Sequence, residues 1–210
     1  MQRRFSTFID ALAAVEVSDR ACNQFASGGD ADGNAIRRRN LHLYLEELEQ
    51  AGPPDTLLIG EAPSYRGGRL TGIAFVSETV LLSGVGSHLG TGRGYRKATA
   101  GPQLSTEASA TMVWSTIRDM KPLPMLWNAF PFHPFQRGNP ATNRVPDAAE
   151  LALGQPFIES LIRLFPMRRI VAIGNQASLS MTKLGIEHTK VRHPSMGGKN
   201  QFVEGMRKLV

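Results

Sequence analysis

Cysteine is nearly missing from this 210-residue chain, in which Cys22 is the single thiol. One cysteine closes no internal disulfide and cannot supply the four thiolates of an iron–sulfur cluster or a zinc ribbon, so neither a disulfide scaffold nor a cysteine-ligated metal is expected. Acidic residues are also scarce, 18 Asp and Glu against 24 Lys and Arg, which leaves a net charge of +6 and a pI near 9.9. That balance favours a polyanionic partner. No run approaches the ~18 consecutive apolar residues of a membrane span, and Met1-Gln2-Arg3-Arg4-Phe5 leads into no apolar signal core. The expectation is a protein of the cell interior, neither secreted nor membrane-bound. Two enzymatic signatures are absent as well. The segment Gly84–Gly101 gathers Gly84, Gly86, Gly90, Gly92, Gly94 and Gly101 around Arg93, Arg96 and Lys97, but no Gly-Lys-Ser or Gly-Lys-Thr follows a strand. It reads as a mobile surface loop or one that closes over DNA, and not as a nucleotide cradle. No Gly-x-Ser-x-Gly elbow is present, which removes the usual α/β-hydrolase nucleophile.

What the chain does contain is a regular alternation. With 41% hydrophobic and 20% charged residues it has the composition of one globular domain: a helical N-terminal part over 1–54 and a core over 55–210. Phe5, Phe8, Ile9, Leu12 and Val15 recur at spacings of three and four, predicting a helix over 5–17. Residues 21–33, with Gly28, Gly29, Gly33, Asp30 and Asp32, read as an irregular loop. Arg37-Arg38-Arg39 then opens a leucine-rich helix that Gly52-Pro53-Pro54 closes, and the arginines read as a solvated face or an electrostatic patch. Four short apolar runs follow: 56–59, 125–130, 170–174 and 189–192. Continuous runs of this kind are strands buried on both faces. Helical patterns near 104–120, 147–165, 175–184 and 200–209 separate or follow them. Strands alternating with helices pair in parallel through right-handed crossovers, so the expected fold is a three-layer α/β/α sandwich around a four-stranded parallel sheet.

In such folds the ligand sits beyond the carboxyl ends of the strands. The loops that start there carry the polar residues of interest. Glu61, in Gly60-Glu61-Ala62-Pro63-Ser64-Tyr65-Arg66-Gly67-Gly68-Arg69, is either a capping carboxylate or a group that orients and deprotonates water. Asn128 ends an apolar run, and its amide, donor and acceptor at once, suits a turn or the edge of a nucleobase. His133, among phenylalanines and prolines, reads as structural. Pro194 restricts His193 to extended backbone, which fixes its ring; in His193-Pro194-Ser195-Met196-Gly197-Gly198-Lys199 the imidazole could donate to developing negative charge, while Ser195, Lys199 and the glycine amides could hold phosphates.

Taken together, Gly60-Glu61-Ala62-Pro63, Phe75, Asn128 and His193-Pro194-Ser195 resemble the motifs of the uracil-DNA glycosylase superfamily in content, order and spacing, over roughly residues 56–198. The branch whose first motif begins Gly-Glu-Ala-Pro is the most similar, and Phe135–Pro146 resembles its proline-, asparagine- and arginine-rich loop. That branch carries four cysteines around an iron–sulfur cluster; this chain does not, so no cofactor is expected. Ser64-Tyr65 stands where glycine and acidic residues usually follow the proline, and Met196-Gly197-Gly198 replaces the usual hydrophobic wedge.

The resemblance implies a monomeric repair enzyme of the cytoplasm, at the bacterial nucleoid, that acts on uracil-containing DNA, single- or double-stranded. It implies hydrolysis of the N-glycosidic bond of deoxyuridine, leaving an abasic site. Glu61 and His193 take the catalytic roles. Asn128, Phe75, Ala62 and Tyr65 hold uracil, with Tyr65 placed to exclude the thymine methyl. Ser64, Arg66, Arg69, Ser195, Met196, Gly197 and Lys199 contact DNA, with Met196 as the wedge. A binder of uracil-containing or damaged DNA with little or no catalysis is the alternative.

Overall fold

The computed structural model describes residues 3–27 and 31–209. In chain order the elements are α1 (Arg3–Ala13), β1 (Ala21–Cys22), α2 (Ala31–Ala51), β2 (Thr56–Gly60), α3 (Gly68–Thr71), α4 (Glu78–Ser83), a 3-10 turn (Thr91–Arg93), α5 (Ala108–Ile117), β3 (Met125–Asn128), β4 (His133–Pro134), α6 (Ala148–Leu164), β5 (Arg169–Ile173), α7 (Asn175–Lys183), β6 (Thr189–Val191) and α8 (Lys199–Arg207). The main sheet runs β3-β2-β5-β6 with every pair parallel, and β1 pairs antiparallel with β4 in a separate ribbon. Helix α1 packs on α2 and α6, and α5 packs on α8. The expected three-layer α/β/α sandwich is the fold observed.

Each main strand follows from its composition. Leu57, Leu58 and Ile59 of β2 are fully buried, as are Met125 and Leu126 of β3 and Val171 and Ala172 of β5, because helices cover both faces. The chain leaves β2 for β3 on one side and later returns to β5 on the other. The order therefore reverses at β2, and the carboxyl ends there splay apart into a crevice.

Several boundaries differ from the sequence reading. Helix α1 stops at Ala13, and β3 stops at Asn128, after which the Ala129 and Phe130 amides turn to donate to the Gly60 and Glu61 carbonyls. Helix α5 starts only at Ala108, and α2 starts at Ala31, inside the segment read as a loop. Of that loop, Gly28–Asp30 lies outside the described residues, as does the Met1-Gln2 start. The arginine triplet is only partly solvated: Arg37 is buried with Nε on the Leu70 carbonyl, and Arg38 donates to the Phe25 and Ala26 carbonyls. The guanidiniums satisfy backbone oxygens that a turn leaves unpaired. Helix α6 starts with a capping box, the Asp147 carboxylate accepting the Glu150 amide and the Glu150 carboxylate accepting the Asp147 amide.

The glycine-rich segment is strapped onto α2. Glu47 accepts from His88 Nδ1 at 2.9 Å, the Tyr95 hydroxyl at 2.9 Å and the Leu89 amide at 3.3 Å. Burial opposes charge on Glu47, yet the bonds from His88, Tyr95 and Leu89 outweigh it and hold the carboxyl below its ordinary range. The stabilisation is present above the ordinary carboxylate range and is lost as pH falls through the lowered value. Glu47→Ala strands three donors and is expected to cost about 2–3 kcal/mol. In a domain of this size that lowers Tm by roughly 4–12 °C in a thermal melt at pH 7; an unchanged Tm would show that the strap contributes nothing.

Candidate active site

The carboxyl ends of all four main strands open on one cavity of about 450 Å³. Gly60 and Glu61 come from the end of β2, Asn128 from β3, Ile173 and Gly174 from β5, and Arg192 and His193 from the end of β6. Ala62, Pro63, Ser64, Gly68 and Phe75 complete the wall on the β2 side.

Gly60 allows the closest approach. A Cβ there would lie 2.6 Å from Phe75 Cζ and 2.7 Å from Asn128 Oδ1, so only glycine lets the ring and the amide stand together over the strand end. Phe75 is held at φ 54°, in the left-handed region that costs a non-glycine residue roughly 1–2 kcal/mol. Its ring centroid lies 6.4 Å from that of His193. Strain of this kind persists where the surroundings fix the side chain. Gly174 serves the far wall in the same way: it turns from β5 into α7 at φ 92°, and a Cβ would meet His193 Cβ at 2.9 Å.

Asn128 is 4% exposed, and its side-chain amide makes no hydrogen bond among the described residues. Its polar atoms keep accessible surface on the cavity, where a ligand or water can meet them. Glu61 is held more tightly, because its Oε1 is buried and has no partner. Burial, weakly opposed by the charge of Lys183, raises its carboxyl from 4.5 to about 7. His193 accepts the Ser195 amide on Nδ1 at 3.2 Å and lies 2.7 Å from the Ser195 hydroxyl. An amide can only donate, so Nδ1 is the unprotonated nitrogen and the ring's N–H is on Nε2. Burial, reinforced by the charge of Arg192, pushes the imidazole below its ordinary value, which keeps it neutral at pH 7. The first turn of α7 also borders the cavity through Asn175, Gln176 and Ala177, bringing the positive end of a helix to it.

The other residues singled out by sequence fall into two groups. Ser64 lines the cavity with its hydroxyl buried and unpartnered. Tyr65 does not line it: its amide donates to Asn143 Oδ1 at 3.0 Å, and its ring lies under the Arg66 guanidinium, 5.4 Å away. Arg69 donates to the Pro140 carbonyl at 3.0 Å, so it ties the first motif to the Phe135–Pro146 loop. Buried His133 does the same from the other side, its Nδ1 lying 2.8 Å from the Pro63 carbonyl and its Nε2 3.1 Å from the Pro140 carbonyl. Met196 is 92% exposed at φ 51°, with exposed Gly197 and Lys199 beside it.

Sequence reasoning did not single out Glu107, Ser109, Asn143 or Arg192, all of which line the cavity. Asn143 had a signal, since it lies in the asparagine- and arginine-rich loop. Arg144 fixes that loop through two hydrogen bonds to Glu150, at 2.7 and 2.9 Å, and others to the Phe135 and Arg20 carbonyls. Glu107, at the start of α5, carries no pattern that marks it.

Three comparisons bear on this arrangement. The family model described as the uracil DNA glycosylase superfamily matches residues 49–207. The crystal structure of wild-type Pedobacter heparinus SMUG2 is similar in fold, with a TM-score of 0.69 at 14% sequence identity, covering 100% of this chain and 97% of that one. No curated protein matches the chain in sequence.

The raised Glu61 carboxyl has a consequence for stability. The folded protein binds this proton more tightly than the unfolded chain, so its contribution is present below about 4.5 and is lost as pH rises to about 7. Glu61→Gln removes the buried charge and is expected to raise stability at pH 8 by about 1 kcal/mol, allowing for solvent in the cavity, or Tm by roughly 2–4 °C. The gain should vanish at pH 4. Melting curves at both pH values check this, and equal Tm at pH 8 would contradict the burial of an ionised carboxylate.

Proposed function

The chain belongs to the uracil DNA glycosylase superfamily, and from that membership we propose that it hydrolyses the N1–C1′ bond of deoxyuridine in DNA, releasing uracil and leaving an abasic site. One observation carries the reading: Glu61, Asn128 and His193, from the ends of three strands, line a single cavity together with Phe75.

The chemistry makes two demands. Bond cleavage collects negative charge on the base and positive charge on the sugar, and the base must first leave the helix, which costs a few kcal/mol unless the strand is single or the base mispaired. Phe75 stacks on the extruded uracil. The Asn128 amide pairs with its O4 and N3–H edge, which cytosine presents with donor and acceptor reversed. The His193 Nε2–H donates to O2, where the electron pair of the broken bond is delocalised. Glu61 in its ionised form takes a proton from the water whose oxygen bonds to C1′. A neutral imidazole is the better partner here, because it stabilises the anion without a competing proton transfer. Ala62 and Ser64 close the cavity beside the base. Met196, Gly197, Lys199 and Arg66 face DNA, and Ser195 contributes by fixing the His193 tautomer. Tyr65 is not given the exclusion of thymine, since Ser64 occupies the cavity wall in its place. The protein works as a monomer on single- or double-stranded DNA.

A gel assay of abasic-site formation on labelled uracil-containing DNA tests the proposal. His193→Ala and Glu61→Ala are each expected to slow release about 10²–10³-fold, the usual cost of one charge-directed group. Rates should rise with pH through about 7 as Glu61 ionises. Binding without release by the unaltered protein would select the alternative, a non-catalytic binder of uracil-containing DNA. Release unaffected by both substitutions would remove this cavity from the chemistry.

A further inference from the structure

The cavity has an electrostatic difficulty that the residues assigned so far do not resolve. Two carboxylates line it, Glu61 and Glu107, and its substrate is a polyanion. Among the described residues, Arg192 is the one lining side chain with a fixed positive charge. The cations that the resemblance places on DNA lie outside the lining: Arg69 donates to the Pro140 carbonyl, Arg66 lies over Tyr65, and Lys199 begins α8.

Three observations describe what Arg192 is free to do. It is exposed, and among the described residues it has no carboxylate partner. Its single hydrogen bond, from Nη1 to the His193 carbonyl at 3.0 Å, leaves four of the five guanidinium N–H groups unused. That bond also fixes the head of the side chain to the backbone of the residue beside it, at the cavity wall. An arginine anchored in this way, with its remaining donors in a fork, is suited to two oxygens of one phosphodiester.

We propose that Arg192 is a phosphate-binding residue of the site: it engages a DNA phosphate next to the extruded nucleotide and, through the His193 carbonyl, links that contact to the residue that faces the base. The inference rests on the glycosylase reading. It adds a fixed positive charge to a cavity that Glu61 and Glu107 also line, and it places the phosphate contact on the residue directly before His193.

The experiment follows KM and kcat for uracil release against salt concentration in the unaltered protein, in Arg192→Gln and in Arg192→Lys. One lost phosphate contact lowers the slope of log affinity against log salt by about 0.9 on duplex DNA or about 0.7 on single strands. Arg192→Gln is expected to raise KM about tenfold at low salt and to flatten the slope by that amount, with kcat changed less than KM. Arg192→Lys, which keeps the charge, should retain the slope. A packing or folding defect would change rates without altering the slope. If Arg192→Gln keeps the slope of the unaltered protein, or if Arg192→Lys loses it as fully as Arg192→Gln, the phosphate assignment is overturned while the glycosylase reading stands. If the unaltered protein releases no uracil, the reading fails and this inference falls with it.

Discussion

Parallel pairing of β2 with β3 on one side and β5 on the other is the constraint on which the site depends. Parallel strands end at the same edge, so the residues that follow them are delivered to one place however far apart they lie in the chain. Gly60 pairs with Asn128 in the sheet register, and the missing side chain at Gly60 is what allows the Asn128 amide and the Phe75 ring to share the space above it. His193 is placed by the same geometry from β6, against Gly174 at the end of β5. The loops that complete the wall are held by contacts of a different kind. His133 and Arg69 donate to proline carbonyls, and Arg144 satisfies a row of backbone oxygens, so the first motif and the Phe135–Pro146 loop are joined by side-chain to backbone bonds where no strand ladder reaches.

The protonation states in the cavity depart from those of an exposed surface in a consistent direction. Burial disfavours charge on Glu61 and on His193 alike, raising the carboxyl and lowering the imidazole. The same environment thus yields a carboxylate basic enough to accept a proton near neutral pH and an imidazole that stays neutral with its N–H on Nε2. The ionised carboxylate costs folding energy at neutral pH, the imidazole only in acid where it would otherwise be protonated, and the backbone of Phe75 at any pH. Such costs gather where a protein prepares groups for a substrate in place of satisfying them internally. The unpartnered amide of Asn128 belongs to the same pattern.

The central strands and the three polar residues at their ends were legible in the sequence, because a strand buried on both faces is a continuous apolar run and the residue after it starts a loop. That rule alone puts Glu61, Asn128 and His193 at strand ends. What could not be read is whatever depends on tertiary approach. Arg37 looked like part of a solvated triplet but is drawn inward by the Leu70 carbonyl. The two-residue strands β1 and β4 are too short to carry a pattern, and α3 and α4, of four and six residues, are too short for a helical period to show. Glu107 and Arg192 reach the cavity from a helix start and a strand end with no periodicity to mark them. Tyr65 shows the reverse: adjacency to the first motif suggests a place in the pocket, whereas it is not among the lining residues, its backbone N–H donating to Asn143 Oδ1 and its ring lying beside the Arg66 guanidinium.

The central claim is that Asn128 and His193 receive a pyrimidine dione between them, and a crystal of the protein soaked with free uracil tests it most directly. Uracil is expected in the cavity with the Asn128 amide against its O4 and N3–H edge, the His193 Nε2 within hydrogen-bond distance of O2, and the Phe75 ring stacked on its face. Uracil bound elsewhere, or lodged in the cavity with the Asn128 amide turned away from it, would show that these residues do not recognise the base.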